Sequence, residues 1–365
     1  MAQYPFSMSE VETTDTYPPM FPFMPPQKKY ETPISPKENY KLVYSRKLPV
    51  WIPVGTDSTM LTPRIDPDNI ARNFVFEANP LAPEEQVGGK DRHSIDWIYV
   101  PQAGGSMVMP GAPTLADAND WEKVIQFPDV DKWPWELSAE ANKDRLDPDR
   151  WMSITILTGM FERLISFMDF SEAAVALIDE DQKTALHGLF QALVDMYKKM
   201  ISNYVKYFKA DCISFHDDWG SQNSPFFSLS TAMEMLVPYI KQVVDHCHDE
   251  GIFYDQHSCG KNEKLVPAYI AAGVDSWSGQ PMNNKEMIYE QYGGNFVIGM
   301  ETGLPPIGFG ESYEDPNTEV DAAKAFVAKY GPDYAQKPVF AGFFAPAQFS
   351  ETIYIESRKM FESMR

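Results

Sequence analysis

Short apolar runs alternate with longer amphipathic stretches over the second half of the chain. The predicted strands lie at 153–157, 212–215, 252–254, 274–277, 296–299 and 339–343. The predicted helices reach from the first of these strands to residue 208 and then occupy 230–250, 262–272 and 284–292. Buried strands that alternate with amphipathic helices are typical of a parallel sheet. The pattern predicts an α/β fold, and this many units favour closure into a (β/α)8 TIM barrel.

The N-terminal part of the chain has a different pattern. Residues 1–34 are rich in Pro, Met and aromatic residues, and dense proline excludes helices and interior strands. We therefore expect an irregular N-terminal arm whose apolar side chains pack on the body or on a second subunit, which leaves a homodimer open. Residues 35–365 are predicted to form a single TIM-barrel catalytic domain.

Three local patterns predict the secondary structure at the beginning of this domain. Ser35 with Glu38 three residues later, and Pro36 between them, predicts a capped helix start. The apolar run at 49–54 is interpreted as the first barrel strand. Residues 92–112 predict an inserted hairpin that turns at Gly104 and Gly105.

Composition and charge narrow the function classes. The formal net charge of −21 argues against binding of nucleic acid, because phosphate recognition needs a basic surface. A hydrophobic content of 44% with 13% aromatic residues suits a large core or an apolar ligand pocket. The three cysteines are too few for a disulfide framework, and no apolar run is long enough to span a membrane. These features predict a cytoplasmic protein whose cysteines are reduced and which does not act at a membrane.

Polar side chains follow several of the predicted strands. In TIM barrels the carboxyl ends of the strands face the active site. The segments concerned are 216–220, 255–260, 278–281 and 301–302. Acids, histidines, a cysteine and an amide are therefore expected to meet at one end of the barrel.

His257 and Cys259 form an H-x-C pair in one of these segments. An imidazole and a thiolate are ligands that zinc accepts, but a catalytic zinc site needs at least three protein ligands. Glu301, at another strand end, is the expected third ligand. The alternative is that His257 hydrogen-bonds the substrate and Cys259 only packs.

Asp217 and Asp218 are a pair of adjacent carboxylates after the strand at 212–215. Neighbouring acids can raise one another's pKa, which suits general acid–base catalysis. Adjacent residues that leave a strand point in opposite directions, so we expect one of the two in the site and leave open which.

Several motifs, in this order, resemble one known superfamily. The segment S-P-K-E-N at 35–39 resembles the start of uroporphyrinogen-decarboxylase-like proteins. D-D-W-G-S-Q at 217–222 and H-S-C-G at 257–260, followed by L-V-P at 265–267 and G-V-D at 273–275, resemble motifs of the corrinoid-dependent methyltransferase branch. The resemblance covers the chain from about residue 35 to about residue 350.

Two departures refine what this resemblance implies. The decarboxylase has substrate-binding arginines after the first strand, whereas residues 54–61 contain no Arg. Zinc enzymes of the branch that methylate a thiol have a further Cys near the last strand, and residues 340–346 contain none. The resemblance therefore implies an O-demethylase methyltransferase I, which moves the methyl group of a methyl ether, on an aromatic compound, to the Co(I) of a corrinoid.

The resemblance also implies site roles and a partner. Asp218 or Asp217 would protonate the leaving oxygen, or a metal on His257 and Glu301 would bind it. The positions expected to hold the aromatic ring are His216, Trp219 and Gln280. Residues 245–251 lack the Asp of a D-x-H-x-x-G corrinoid-binding motif, so the corrinoid is expected on a separate partner protein. A methylcorrinoid-to-thiol methyltransferase and a non-catalytic barrel that binds an aromatic compound or a tetrapyrrole remain as alternatives.

Overall fold

The computed structural model describes residues 4–19, 26–101, 105–306, 313–315, 317–341 and 345–365. Within them the strands are β1 Thr16–Tyr17, β2 Gln27–Lys28, β3 Ser58–Leu61, β4 Gly88–Lys90, β5 Asp96–Val100, β6 Gly105–Val108, β7 Trp151–Ile156, β8 Cys212–His216, β9 Phe253–Ser258, β10 Ser276–Gly279, β11 Val297–Met300 and β12 Val339–Ala341. The helices are α1 Pro36–Tyr44, α2 Pro67–Ala71, α3 Trp121–Val124, α4 Trp135–Ala141, α5 Met160–Met168, α6 Phe170–Ala176, α7 Lys183–Asn203, α8 Leu229–Met235, α9 Val237–Asp249, α10 Val266–Ala272, α11 Lys285–Tyr292, α12 Asn317–Tyr330 and α13 Ala347–Met364.

A parallel sheet of seven strands forms the centre of the molecule. Its order is β3, β7, β8, β9, β10, β11 and β12, which is also the order of these strands along the chain. Helices lie between most successive strands, as the alternating pattern predicts. In the described part of the chain no ladder joins β12 to β3. The structure therefore confirms an α/β fold with TIM-barrel-like strand order, whereas a closed barrel of eight strands is not confirmed.

The predicted first strand at 49–54 is wrong. The residues are buried, but they belong to no strand and bend at Val50 and Trp51, and the first strand of the sheet is instead β3. Side chains supply the backbone partners: Val50 N donates to Oδ1 of Asn39 at 2.7 Å, and Ile52 N donates to Oγ of Ser357 at 3.0 Å. Pro49 and Pro53 have no N–H to give to a ladder. The apolar run is thus core, but not sheet.

The inserted hairpin is confirmed and is larger than predicted. β5 pairs antiparallel with β6, and β4 adds a third strand on the other side of β5. We call these three strands the inserted sheet. Of the predicted turn, Gly104 lies outside the described residues, whereas Gly105 begins β6.

The described part of the N-terminal arm is irregular, apart from one short 3₁₀ turn and the two-residue strands β1 and β2. It is fixed to the C-terminal helix α13. The guanidinium of Arg358 donates to both carboxylate oxygens of Glu10, at 2.7 and 2.8 Å. This ion pair holds the described part of the arm on the body, while residues 20–25, with Phe and Met side chains that were expected to pack there or on a second subunit, lie outside the described part.

The predicted strands and helices of the second half agree with the structure in place and type. β9 is the main difference, because it continues to Ser258 and so includes His257. The predicted helix at 230–250 is divided at Leu236 into α8 and α9. Of the last predicted strand, residues 342–344 lie outside the described part. No helix among the described residues is long and apolar enough to cross a membrane.

Candidate metal centre

The carboxyl ends of β8 and β9 bring four possible metal ligands together. His216, Asp218, His257 and Cys259 each offer a nitrogen, oxygen or sulfur atom, and these atoms lie within 4.8 Å of one another. The two strands are neighbours, and His216 pairs with His257 in their register. The second ligand on each segment follows its histidine by two residues, which returns it to the same side of an extended chain.

The donor set fits zinc. Nε2 of His257 and Sγ of Cys259 are 3.5 Å apart. A tetrahedral zinc ion with ordinary bond lengths separates its ligand atoms by roughly 3.3–3.8 Å. Two imidazoles, one thiol and one carboxylate combine borderline and soft donors, which zinc accepts and magnesium or calcium does not favour.

The protonation state of His257 agrees with such a site, whereas the thiol of Cys259 would have to lose its proton when the ion binds. Burial, together with the neighbouring His216, lowers the pKa of His257 to about 3, so its imidazole is neutral, as a metal ligand must be. Burial and the Asp218 carboxylate raise the pKa of the Cys259 thiol well above its usual range. A bound divalent cation would reverse this effect, because a coordinating thiol loses its proton.

Glu162 and Arg72 belong to the site and were missed in the sequence. Oε2 of Glu162 lies 2.8 Å from Nδ1 of His216, and Nη1 of Arg72 donates to Oε1 of Glu162 at 2.9 Å. Burial opposes ionisation of Glu162, but Arg72 and His216 outweigh it and lower the pKa of Glu162 to about 2. Burial lowers the pKa of His216, yet Glu162 more than compensates, so the pKa of His216 is raised. With Nδ1 committed to Glu162, Nε2 is the nitrogen of His216 that remains for a cation.

Asp217 does not enter the site, which corrects the expectation that it is a catalytic candidate. Its carboxylate is fully buried and accepts hydrogen bonds from the backbone N–H groups of Phe161 and Glu162, at 3.0 and 2.9 Å, at the start of α5. It also accepts from Nε1 of Trp219 at 2.9 Å. Burial, then the charge of Glu162, raises the pKa of Asp217 to about 7. Of the adjacent acids, therefore, Asp218 faces the site and Asp217 caps a helix.

Trp219 is also placed differently from the expectation. Its side chain is fully buried and packs on Tyr269 and Phe227, with ring centroids 4.8 and 5.5 Å away. A ring enclosed on these sides and hydrogen-bonded to Asp217 cannot bind a substrate. It supports the loop that carries Asp218.

The structure does not bring Glu301, the expected third ligand, to the other donors. Its side chain is half exposed and forms an ion pair with Lys285, and it is not among the four clustered donors. Gln280 lies next to the loop that carries Cys259. Its Oε1 accepts a hydrogen bond from Gly260 N at 2.8 Å. Gln280 thus holds the backbone that follows Cys259.

Two glycines allow the site loops to approach each other. Gly260 has φ +84°, and a Cβ added there would lie 2.0 Å from the carbonyl oxygen of Gly220. The loop after β9 therefore rests directly on the loop after β8. This contact fixes Cys259 relative to Asp218, whose Oδ1 accepts from Cys259 N at 2.6 Å.

Asp255 forms a polar floor below the cluster. It lies two residues before His257 on β9, and hydroxyl groups of Ser214, Ser276 and Ser278 donate to its carboxylate at 2.7–3.1 Å. Burial raises the pKa of Asp255. Because these serines lie on β8 and β10, one carboxylate ties three strands together beneath the histidines.

Comparisons with known proteins show the fold. No family model matches the sequence, and no curated protein matches it. A methyltransferase from Methanosarcina mazei has a similar structure, with a TM-score of 0.57 and 12% identity over 90% of this chain and 99% of that chain. A chitinase from Rhizomucor miehei has a TM-score of 0.35 and 11% identity over 70% of this chain and 91% of that chain. The first similarity concerns the fold alone, and the score of the second is too low to support a conclusion.

Proposed function

We propose that the protein is a zinc-dependent methyltransferase that takes the methyl group from a methyl ether, on a methoxylated aromatic compound, and passes it to the Co(I) of a corrinoid on a separate protein. The observation that carries this proposal is the cluster of His216, Asp218, His257 and Cys259 at the carboxyl ends of β8 and β9. The D-D-W-G-S-Q and H-S-C-G motifs support it, because they contain Asp218, His257 and Cys259, and His216 directly precedes the first motif. The fold shared with a methyltransferase from Methanosarcina mazei adds an analogy.

The role of the four residues is to hold the ion at the strand ends. Zinc, when bound there, would supply a Lewis acid for the ether oxygen, which is otherwise a poor leaving group. His257 enters as a neutral imidazole, and His216 is oriented by Glu162. Oδ1 of Asp218 accepts a hydrogen bond from the backbone N–H of Cys259, which keeps these two ligands close to each other.

The charges of the site suit a neutral substrate. A divalent cation would be balanced by the carboxylate of Asp218 and the thiolate of Cys259, and Arg72 balances Glu162. Such a site has no excess positive charge to attract an anion, and the whole chain carries a net charge of −21. An uncharged methyl ether therefore fits better than a carboxylated tetrapyrrole, whose recognition needs arginines.

The test is a spectroscopic assay of methyl transfer. The purified protein is mixed with a reduced corrinoid protein and a methoxyarene, and the absorption of the corrinoid is followed. We expect a change that requires the methoxyarene, is lost after zinc is removed by a chelator, and returns when zinc is added. Ether cleavage that survives the loss of zinc would contradict the Lewis-acid role. Reaction of a methylcorrinoid with a thiol, and none with the ether, would instead favour the thiol-acceptor class.

A further inference from the structure

Contacts from several parts of the chain fix the position of Glu162. It lies near the start of α5, directly after the turn formed by Thr158 and Gly159. Thr158 is buried and has φ 67°, a conformation that a β-branched residue adopts only when its surroundings enforce it. Its carbonyl oxygen accepts from the hydroxyl of Tyr197 at 2.7 Å. A strained turn held in this way fixes where α5 begins.

The start of α5 is also fixed from the side of β8. Gly159 N donates to the carbonyl oxygen of His216 at 2.7 Å, and Asp217 caps the next N–H groups of the helix. A Cβ on Gly159 would lie 2.5 Å from Cβ of Asp217, so only glycine allows this approach. These contacts fix the start of the helix that carries Glu162 against the end of the strand that carries His216.

Arg72 holds the carboxylate of Glu162 from the opposite side. Its Nη1 donates to Glu162 at 2.9 Å and to Oγ1 of Thr158 at 3.3 Å. The guanidinium lies over the ring of Trp97 in β5 of the inserted sheet, 5.4 Å from the centroid. The ring of Trp97 is in turn fixed, because its Nε1 donates to Asp91 at 3.0 Å.

The next residue of α5, Arg163, is held by other side chains of the same region. Arg163 forms ion pairs with Asp68 and Asp91, and all three side chains are fully enclosed. Asp68 belongs to α2 and Asp91 to the loop between β4 and β5, whereas Arg72, which holds Glu162, directly follows α2. The chain of contacts runs from Trp97 through Arg72 and Glu162 to His216.

We propose that Glu162 is a positioning residue that fixes the ring of His216 for the metal ion, and that Arg72, held on Trp97 of the inserted sheet, fixes Glu162. This inference deepens the proposed function and rests on its metal site. A carboxylate on the second nitrogen of a ligating histidine sets the tautomer and the ring orientation, and its loss costs about 10–100-fold in metal affinity. The inserted sheet thereby becomes a support of the metal centre.

The test measures zinc affinity by titration of the metal-free protein in competition with a chromophoric chelator. We expect Glu162→Gln to bind zinc about 10–100-fold more weakly than the wild type. Arg72→Gln, which leaves Glu162 and His216 in place, is expected to show a smaller loss. Thermal unfolding of each metal-free variant is recorded in parallel.

Two control variants separate positioning from general stability. Ser166→Ala removes a buried hydroxyl of α5 that accepts from Arg163 at 3.1 Å, so it should lower the unfolding temperature but leave zinc affinity unchanged. Glu172→Gln makes the same chemical change at an exposed position of α6 and should change neither quantity.

Wild-type zinc affinity in both Glu162→Gln and Arg72→Gln would overturn the proposal, as would a wild-type protein that binds no zinc. If Glu162→Gln does not fold, Arg72→Gln decides alone. The titration contains no methyl donor and no corrinoid. Failure of the methyl-transfer assay, combined with weakened zinc binding in these variants, would therefore refute the proposed reaction and leave the positioning role of Glu162 intact.

Discussion

His216 and His257 face each other across two neighbouring parallel strands, with ring centroids 4.5 Å apart and ring planes inclined by 25°. Each is followed two residues later by a second possible ligand, Asp218 after His216 and Cys259 after His257. The centre is thus built from two matching segments, H-x-D and H-x-C. Because the register of β8 and β9 aligns them, these two strand ends suffice to supply the donor set.

The four clustered side chains predict a stoichiometry of metal binding. We expect one zinc ion per chain in the purified protein, and loss of most of it in His257→Ala and in Cys259→Ser, because a site with three donors or a hard oxygen in place of sulfur binds zinc less tightly. Metal analysis after gel filtration measures this. Glu301→Gln is the matched control, since Glu301 pairs with Lys285 and should leave the zinc content unchanged.

Substitution of the adjacent acids Asp217 and Asp218 is predicted to affect different properties, the stability of the fold for Asp217 and zinc binding for Asp218. Asp217→Ala leaves the N–H groups of Phe161, Glu162 and Trp219 without their acceptor, which should lower the free energy of unfolding by roughly 3 kcal/mol. Asp218→Ala should lower zinc content, and it should destabilise the metal-free protein less than Asp217→Ala, because only the N–H of Cys259 loses its acceptor. Denaturant unfolding and metal analysis of both variants check this. The interpretation of Asp217 as a helix cap fails if its variant is as stable as the wild type.

The contact between the two site loops predicts a large effect at Gly260. Gly260→Ala places a Cβ 2.0 Å from the carbonyl oxygen of Gly220, so the backbone must move. Gly251→Ala is the control, because Gly251 also has a positive φ, +76°, but nothing lies within 4 Å of the added Cβ. We expect a cost of about 1–2 kcal/mol from the left-handed conformation at Gly251. Unfolding measurements should show a clearly larger loss at Gly260, together with lost zinc.

Asp57 predicts a pH dependence of stability that is separate from the site. Burial raises the pKa of Asp57 to about 6, although hydrogen bonds from Val54 N and Trp51 Nε1 lower it. A carboxyl with a raised pKa in the folded state stabilises the fold fully at low pH, and this stabilisation is lost as the pH rises from about 4 to about 6. The loss is at most roughly 3 kcal/mol.

The check for Asp57 is a comparison with Asp57→Asn across this range. Both donors bond to the same oxygen, Oδ2, so the amide oxygen of Asn can accept them. The difference in unfolding free energy should shift in favour of the Asn variant as the pH rises, and a constant difference from pH 4 to pH 7 would contradict the assignment.

Much of the sheet was predictable because its strands are local patterns. β7, β8 and β11 each contain a short apolar run before polar residues, and the order of the strands follows the chain. The run at 49–54 has the same composition, yet its backbone partners are side chains as remote as Ser357. The pattern of apolar residues predicts which residues are buried. It does not predict which polar groups will form hydrogen bonds with the buried backbone N–H and C=O groups.

The candidate site was only half predictable for a related reason. His257 and Cys259 were identified as ligands from their spacing, and the same spacing at His216 and Asp218 is a signal that was not used in this way. Glu162 has no such signal, because its approach to His216 depends on the turn at Thr158 and on Arg72, which lies 90 positions earlier. Contacts of this range require the fold itself.

X-ray absorption spectroscopy of the zinc-loaded protein tests the metal centre most directly, because it reads the atoms bound to the ion. For a site made of His216, Asp218, His257 and Cys259 we predict one sulfur at about 2.3 Å and three nitrogen or oxygen neighbours at about 2.0–2.2 Å. The sulfur should disappear in Cys259→Ser. A first shell without sulfur in the wild-type protein, or a protein that retains no zinc, would contradict the assignment.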